Sequence, residues 1–570
     1  MKSWPIKVMT SALLLLFSFA SVASANQPAF RAKSIGGEKS AVFFVEERAT
    51  DSRSLVVSSG MSFFERPWIK DDPIPNMGEC RSTKDPDCDF TKLHAGIASS
   101  VLGVCDSSSA RNCIESISFG PSSESLVPAK FVKYLEGREI DEDPEMGFYG
   151  GRTASIWSAD NAANSSGSTN YLVAPVVDFS IYQNEPRFRA VGFAVDITPY
   201  STKFKENVGP GGWRTNEERL LVDSTRASWP LRFLPKSKDG DYSGECIAFQ
   251  KDQCLIQYDF PPSTVIQLRV RLGRELGGWF KGRLVDPDIK VESIDGENNL
   301  ISVTARPTEV AQVAHAVDYD KMTAQEQALH DEYYWGGGKI GRSTAGTAST
   351  GGADRVFDFM RKARDIFKDT ALGTTTFWNF GTVNAGAGSQ CLADTSKVLG
   401  IVTTNAMGYQ GTAPAFDGST LNYRVVGPHY MPGGKVEVRG TYDLVMRSDV
   451  ARCLYRFNEA PISATVSIAS SSGEAQVATT SVSESGGWLR MSAKNFTFSE
   501  KVVSVKVSQE SPAAATVQPT PTPTPSVVAT PKEVTKPGSR KTISCVKGTT
   551  VKRVTGKSPR CPKGFKKRSV

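Results

Sequence analysis

The 570-residue sequence predicts a mainly β, multidomain protein built from β-sandwich-like domains, with a small helical insertion, a Pro/Thr-rich linker and a basic C-terminal micro-module. Three observations support this fold class. Short β-branched segments recur along most of the chain, many of them alternate apolar with polar residues, and Gly, Pro, Asn, Asp and Ser separate them. Charged residues make up 22% and hydrophobic residues 39%, so most of the chain can form packed cores. A length of this order corresponds to about three to four domains.

Residues 1–25 have the features of a secretory signal peptide. Lys2 and Lys7 make its start positively charged. An apolar run then covers 12–20, and a small-x-small cleavage motif occupies 23–25. The apolar run is shorter than the roughly 20 residues that a membrane-spanning helix needs. We therefore expect a secreted protein with a cell-surface or cell-wall location.

The region 26–310 is predicted to be β-rich and to form one or two domains. Its most regular strand patterns lie at 41–45, 171–177, 191–197, 264–272 and 301–305.

The region 311–372 changes to a helical period and is predicted to connect two β regions. Thr323 and Glu326 form a capping box that opens a short helix. A Gly-rich loop follows at 336–352, and the segment 353–368 then presents one apolar face.

The region 373–510 is predicted to be a second β-sandwich-like domain, with strands at 397–403, 435–438, 442–446 and 464–468. The 62 residues between Cys391 and Cys453 fit a bridge between two sheets of an immunoglobulin-like sandwich. Trp378 precedes both cysteines instead of lying between them, so the pattern supports only a sandwich-like domain.

The segment 511–536 is predicted to be a linker, because prolines alternate with threonines at 519–525. Such a segment favours the extended polyproline II conformation and would act as a stalk. Residues 537–570 would form a small basic module that is too short to hold a core without a cross-link.

Cysteine spacing indicates disulfides. The ten cysteines fall into the neighbouring or distant pairs Cys80/Cys88, Cys105/Cys113, Cys246/Cys254, Cys391/Cys453 and Cys545/Cys561. The first four cysteines alone allow three connectivities, so the pairing stays open at this point. Zinc is the rival interpretation, but it prefers cysteines two to four residues apart with further Cys or His ligands nearby.

Charge is divided unevenly along the chain. The segment 511–570 carries a net +12 and residues 1–25 carry +2, which leaves −7 for residues 26–510 when the total is +7. A basic tail on an acidic body predicts electrostatic attachment to anionic cell-envelope polymers or lipid head groups. The residues expected to make this contact are Lys547, Lys552, Arg553, Lys557, Lys563, Lys566 and Lys567. A solvated, solubilising end is the alternative, and nucleic acid is not an expected partner of an exported protein although phosphate binding is chemically available.

The tail contains TISCVKGTTVKRVTGKSPRCPKGFKK (542–567), and two other stretches accompany it. These are GWFKGRLVDPDIKVESIDGENNLISVTARP (278–307), and CLADTSKVLGIVTTNAMGYQG (391–411) with GTYDLVMRSDVARCLYRF (440–457). The three stretches resemble regions of uncharacterised exported or cell-surface actinobacterial proteins with a basic Cys-pair tail. The resemblance implies an exported or surface protein and implies no reaction.

One motif is a weak calcium candidate. Asp239, Asp241 and Ser243 match the first half of a D-x-D-x-[DNS]-G loop. However, Gln250 stands where an EF-hand requires a bidentate Glu, and Cys246 interrupts the loop. Turn chemistry explains the same residues equally well, so we expect no cofactor and keep calcium as an open alternative.

No motif predicts catalysis. The acidic stretch 136–145 offers dense carboxylates of the kind that glycosidases use, but such density is typical of a solvated loop. The glycines at 336–343 do not match G-x4-G-K-[ST], and neither G-x-S-x-G nor H-E-x-x-H occurs. The aromatic residues at 333–335 could bind a glycan or pack internally.

The sequence therefore predicts a non-catalytic, envelope-associated binding or structural protein, with a glycan or a protein as its ligand. A secreted polysaccharide-degrading hydrolase with a wall-targeting tail and a surface-layer component are the alternatives.

Overall fold

The computed structural model confirms a mainly β fold, and within the part of the chain that it describes strands account for 56% of residues and helices for 10%. The chain divides into two compact units, 1–511 and 512–570. The described residues are 29, 40–44, 57–64, 77–86, 88–89, 94–107, 110–204, 246–250, 253–318, 321–333, 345–347, 353–383, 389–392, 394, 396–458, 462–470, 475–476, 478–498, 500–509, 541–547, 550–556 and 559–567.

The strands of the first unit follow in chain order. They are β1 (Ser40–Phe44), β2 (Gly60–Phe64), β3 (Met77–Cys80), β4 (Ala95–Val101), β5 (Cys113–Gly120), β6 (Val127–Pro128), β7 (Lys130–Tyr134), β8 (Ser155–Ser158), β9 (Asn170–Tyr182), β10 (Arg189–Phe204), β11 (Cys246–Gln250), β12 (Gln253–Gln257), β13 (Val265–Gly273), β14 (Gly278–Ser293), β15 (Asn298–Gln312), β16 (Ala314–Asp318), β17 (Ala345–Thr347), β18 (Gly373–Val383), β19 (Val398–Thr404), β20 (Gly408–Tyr409), β21 (Ala415–Phe416), β22 (Leu421–Val426), β23 (Arg439–Arg447), β24 (Ile462–Ser470), β25 (Ala475–Gln476), β26 (Thr479–Ser485), β27 (Trp488–Thr497) and β28 (Lys501–Gln509). The described helices are α1 (Ala324–Tyr333), α2 (Ala353–Phe367) and α3 (Ser448–Tyr455), with short 3-10 helices at Arg274–Leu276 and Gln390–Leu392.

One continuous sheet runs through the first unit in the order β3-β2-β4-β9-β10-β18-β14-β19-β23-β27-β26. All neighbours in this path are antiparallel except β14 and β19, which are parallel. Strand β8 pairs with β9 along the same edge as β4, and β7 pairs with β8.

A second sheet, β14-β15-β13-β5-β6, covers one end of the continuous sheet and forms the first sandwich. Strand β13 alternates buried and half-buried residues along most of its length, as a strand with one face in a core should. The core between the two sheets is centred on Ile117, Phe179, Phe193, Leu268, Phe280, Val303 and Trp378.

Strand β14 belongs to both sheets of the first sandwich. Residues 279–283 pair with β18, whereas residues 284–293 pair with β15, and the register of this second pairing shifts between Val285 and Asp288. Asp286 lies in this bulge with φ +51°. The bulge bends the strand just after its pairing changes from the first sheet to the second.

A third sheet, β20-β22-β28-β24-β25, covers the other end of the continuous sheet and forms the second sandwich. Its core contains Leu399, Tyr423, Tyr442, Leu489 and Val503. The two sandwiches therefore share one sheet, with β14 at the junction. The domain boundaries expected at residues 310 and 373 stay a prediction.

Both predicted helices of the connector are present. Glu326 donates its backbone N–H to the Thr323 hydroxyl at 3.2 Å, and the Thr323 N–H donates to the Glu326 carboxylate at 2.7 Å, so the capping box forms. Helix α2 buries Val356, Phe359 and Met360 against the sheet. Strand β1 pairs with β16 and β17 in a separate small sheet.

Two expectations for the second sandwich are wrong. Residues 435–438 do not form a strand, because Gly433 and Gly434 adopt positive φ and turn the chain, and the strand starts at Arg439. Cys391 and Cys453 do not join two sheets, since the first lies in the 3-10 helix Gln390–Leu392 and the second lies in α3.

Within the described residues, no helix has both the length and the apolar character needed to cross a bilayer.

Candidate functional site

Disulfides form at the predicted neighbouring cysteines. Cys80–Cys88 closes the turn after β3, and Cys105–Cys113 closes the loop before β5. Cys391 bonds Cys453, and Cys545 bonds Cys561. Cys254 is also disulfide-bonded, whereas the side chain of Cys246 lies outside the described residues. This set of disulfides fits an extracellular protein.

The basic tail is a small β module in a compact unit of its own. Strand β29 (Lys541–Lys547) pairs with β30 (Thr550–Gly556) on one side and with β31 (Lys566–Lys567) on the other. The register places Lys552 and Lys567 as the two neighbours of Cys545, which is fully buried and bonded to Cys561.

The tail exposes lysines on both of its faces. Lys563, Lys566 and Lys567 are exposed. Because successive residues of a strand point to opposite faces, Lys566 and Lys567 present charge on both sides of the sheet. The side chains of Lys547, Lys552 and Arg553 and the whole of Lys557 lie outside the described residues. Residues 534–570 contain no acidic side chain, so no carboxylate side chain within that segment can neutralise these charges.

Several predicted elements lie outside the described residues. These are the signal peptide 1–25, the calcium candidates Asp239, Asp241 and Ser243, the glycine-rich loop at 336–343, the aromatic residues at 334–335 and the linker 511–536. Among the residues that are described, no group of three or more His, Cys, Asp or Glu is arranged to hold a metal ion.

The acidic stretch 136–145 is held by structural contacts. Glu139 accepts a hydrogen bond from Arg152 at 2.7 Å. Asp143 is buried and accepts a hydrogen bond from the Thr83 hydroxyl at 2.7 Å, which is the main reason that its pKa is lowered. These contacts tie the loop to its neighbours.

The structure also reveals a row of buried and half-buried polar side chains that the sequence did not indicate. It crosses β10, β18 and β14, where Asp196 pairs with Asn379 and Asn379 pairs with Arg283 in register. The Asn379 side-chain nitrogen donates to Asp196 Oδ1 at 3.0 Å. Lys281, two residues before Arg283, lies on the same face of β14, and both cations are fully buried.

Arg283 joins the shared sheet to the segment that follows β19. Its guanidinium donates to the carbonyl oxygens of Ala406 at 2.6 Å and Met407 at 2.8 Å. The same group lies 5.0 Å from the centre of the Tyr409 ring, and Lys281 Nζ lies 5.2 Å from that ring. Buried cations are tolerated when they are paired or hydrogen-bonded, and these contacts meet that requirement for Arg283.

A second buried group lies on the opposite face of the shared sheet. Asp443 of β23 is 3% exposed and accepts a hydrogen bond from the Asp286 N–H at 3.1 Å. Desolvation is the main cause that raises the pKa of Asp443 to about 6. Asp286 itself contacts Arg306 and Lys494, which lie on β15 and β27. This cluster therefore holds the bulge of β14 against the second sandwich.

The two buried clusters could not be located from the sequence. One feature of the sequence does point to the first cluster. In GWFKGR the cations Lys281 and Arg283 lie on the strand face opposite to Phe280, which belongs to the first core.

Comparisons of the chain with protein-family models, with curated proteins and with solved structures find no match. The resemblance to exported actinobacterial proteins therefore stays a prediction.

Proposed function

We propose that this protein is an exported, cell-envelope-associated binding or structural protein that is tethered electrostatically by its basic tail. The observation that carries the proposal is the tail itself. It forms a compact unit of its own, a disulfide closes it, and it exposes lysines that no acidic side chain of residues 534–570 can neutralise.

The chemistry of the tail suits an anionic polymer or an anionic lipid surface. A lysine or arginine close to such a surface contributes about 1 kcal/mol of binding free energy, and this contribution falls off within a Debye length. A module this small gains its rigidity from the Cys545–Cys561 bond and a three-stranded sheet, which fix the spacing of Lys566 and Lys567.

The charge of the body makes attachment through the tail the better explanation. Residues 26–510 carry a net −7, the same sign as the surface to which the protein would attach. Long-range electrostatics would therefore repel the body and attract the tail. In this proposal the sandwiches serve for display or ligand binding and stand away from the anionic surface.

Co-sedimentation of the full mature chain with isolated actinobacterial cell walls tests the proposal. We expect the triple variant Lys563→Ala, Lys566→Ala and Lys567→Ala to bind roughly 100-fold more weakly at low salt, because three lysines together contribute about 3 kcal/mol. Binding of the unmodified chain should fall steeply as salt is raised.

The matched control removes three exposed lysines of the body, Lys290→Ala, Lys435→Ala and Lys506→Ala, and should leave binding unchanged or slightly stronger. If the control variant loses binding and the tail variant keeps it, the attachment site lies on the sandwiches and the proposed role of the tail is wrong.

A further inference from the structure

Three side chains with complementary chemistry lie on one face of the adjacent strands β10, β18 and β14 in the first unit. Lys281 is 0% exposed and Asn379 is 1% exposed. Asn379 donates from its side-chain nitrogen to the Asp196 carboxylate at 3.0 Å. A buried primary amine, a buried carboxamide and a half-buried carboxylate thus share this face.

Strand register makes Lys281 and Asn379 neighbours on one face of the sheet. Lys281 is paired with Gly381 and Arg283 is paired with Asn379, so all four residues share one face of the sheet. Lys281 and Asn379 are therefore diagonal neighbours on adjacent strands, a separation that long side chains can bridge. Gly381 has no side chain to occupy the space beside Lys281.

We propose that Lys281 and Asn379 form an intramolecular amide cross-link, with Asp196 as the catalytic residue that carries the proton. This inference goes beyond the proposed envelope function and does not depend on it. It assigns a covalent modification to a site in the shared sheet.

The reaction needs no external reactant. Asp196 accepts a proton from the Lys281 ammonium group, and the resulting neutral amine attacks Cγ of Asn379. The Cγ–Nζ bond forms, Asp196 returns its proton to Nδ2, and the Cγ–Nδ2 bond of the carboxamide breaks while the attacking nitrogen gives up its second proton to the departing nitrogen. The products are one new amide bond and one ammonium ion, the charges balance, and Asp196 ends as the carboxylate with which it began.

The surroundings favour each part of this step. Desolvation of a buried lysine favours the neutral amine, which is the nucleophilic form. The cationic Arg283 lies next to Lys281 on the same strand face and contacts the same Tyr409 ring, which further disfavours a second positive charge there. The hydrogen bond from Asn379 Nδ2 to Asp196 places the carboxylate at the nitrogen that must leave.

The electrophile in this step is Cγ of the buried Asn379 carboxamide. Within the described part of the chain, no hydrogen-bond donor reaches the side-chain oxygen of Asn379, although that oxygen is buried. Lys281 and Asn379 belong to strands in the middle of the sheet that both sandwiches share, so the cross-link would lock β14 to β18 at the junction.

Intact mass measurement of the purified mature chain, with its disulfides reduced, tests the proposal. We expect a mass lower than the sequence value by one ammonia. Proteolysis should then yield a branched peptide that joins the segment containing Lys281 to the segment containing Asn379, and fragmentation should place the link between those two side chains.

Variants separate this reaction from other losses of ammonia. The chains with Lys281→Met and with Asp196→Ala should both have their full sequence mass, whereas Lys501→Met, which removes a different buried lysine, should still lose ammonia. Recovery of unmodified Lys281 and Asn379 peptides from the wild-type chain would overturn the proposal, and so would an ammonia loss that persists in Lys281→Met. The wild-type peptide map gives a decision even where a variant fails to fold.

Discussion

At the scale of single residues, burial decides how the charged groups of this protein behave. Asp443 illustrates this, because its carboxyl group is removed from water and the hydrogen bond from the Asp286 N–H replaces that hydration in part. Its pKa is raised to about 6, whereas the exposed Asp160 beside Lys130 has a lowered pKa because of the hydrogen bond to that lysine. The same side chain thus stabilises or destabilises the fold according to where it lies.

Replacement of Asp443 by Asn should therefore change how stability depends on pH. The folded-state pKa of Asp443 lies above the unfolded value, so its contribution is fully present below about pH 4 and is lost as pH rises towards 6, by about 3 kcal/mol. Asp443→Asn removes this loss and keeps an oxygen that can accept the Asp286 N–H. We expect the variant to be more stable at pH 7 and to show a flatter profile between pH 4 and 7.

Urea unfolding across this pH range measures the effect, and Asp160→Asn is the matched exposed control, for which we expect little change. Parallel pH profiles for wild type and Asp443→Asn would show that the carboxyl of Asp443 does not titrate in this window.

At the scale of elements, β14 is the strand that links the two sandwiches. Phe280 and Leu284 enter the core of the first sandwich, while Trp279, Lys281 and Arg283 lie on the face towards the second. Both faces are covered, so the strand serves two cores at once. The hydrogen bonds from Arg283 to the carbonyls of residues 406 and 407 fix the segment that follows β19.

Substitution of Arg283 by Lys should destabilise the first unit by about 2–4 kcal/mol. A lysine keeps the charge, but it cannot reproduce two directed hydrogen bonds together with stacking on Tyr409. Chemical denaturation measures the loss. Arg439→Lys is the control, because Arg439 is exposed and pairs with Glu437 on the surface, where such an exchange costs less than about 1 kcal/mol. Equal effects of the two substitutions would contradict the role assigned to Arg283.

The elements differ in how far the sequence could predict them. Local patterns were sufficient for α1, α2 and most strands, since the capping box and the apolar face of α2 are encoded by neighbouring residues. The burial of Lys281 and Arg283 was not predictable. A strand that alternates polar with apolar residues usually has one face in water, and here that face is covered only because the second sandwich packs on it. Helix α3 was not predicted from the sequence. Cys453 was therefore expected in a sheet, whereas it lies in this helix.

At the scale of the whole molecule, one sheet shared by two cores predicts that the first unit unfolds as one cooperative body. Strand β14 cannot leave the first sandwich without exposing the core of the second, because Trp279 lies in that second core and Phe280 lies in the first. Truncation of a fully buried valine in either sandwich, Val303→Ala or Val503→Ala, removes packing worth about 2 kcal/mol. We expect both variants to lower the same unfolding transition by similar amounts.

Hydrogen exchange measured by mass spectrometry can follow the two sandwiches separately during unfolding. The peptides of β13 and of β28 should gain deuterium together in the wild type and in both variants. If Val503→Ala released β28 while β13 stayed protected, the two sandwiches would be independent domains despite the shared strand order. Coincident exchange would instead show that a break anywhere in the shared sheet is felt along its whole length, because β14 has no conformation that satisfies one core alone.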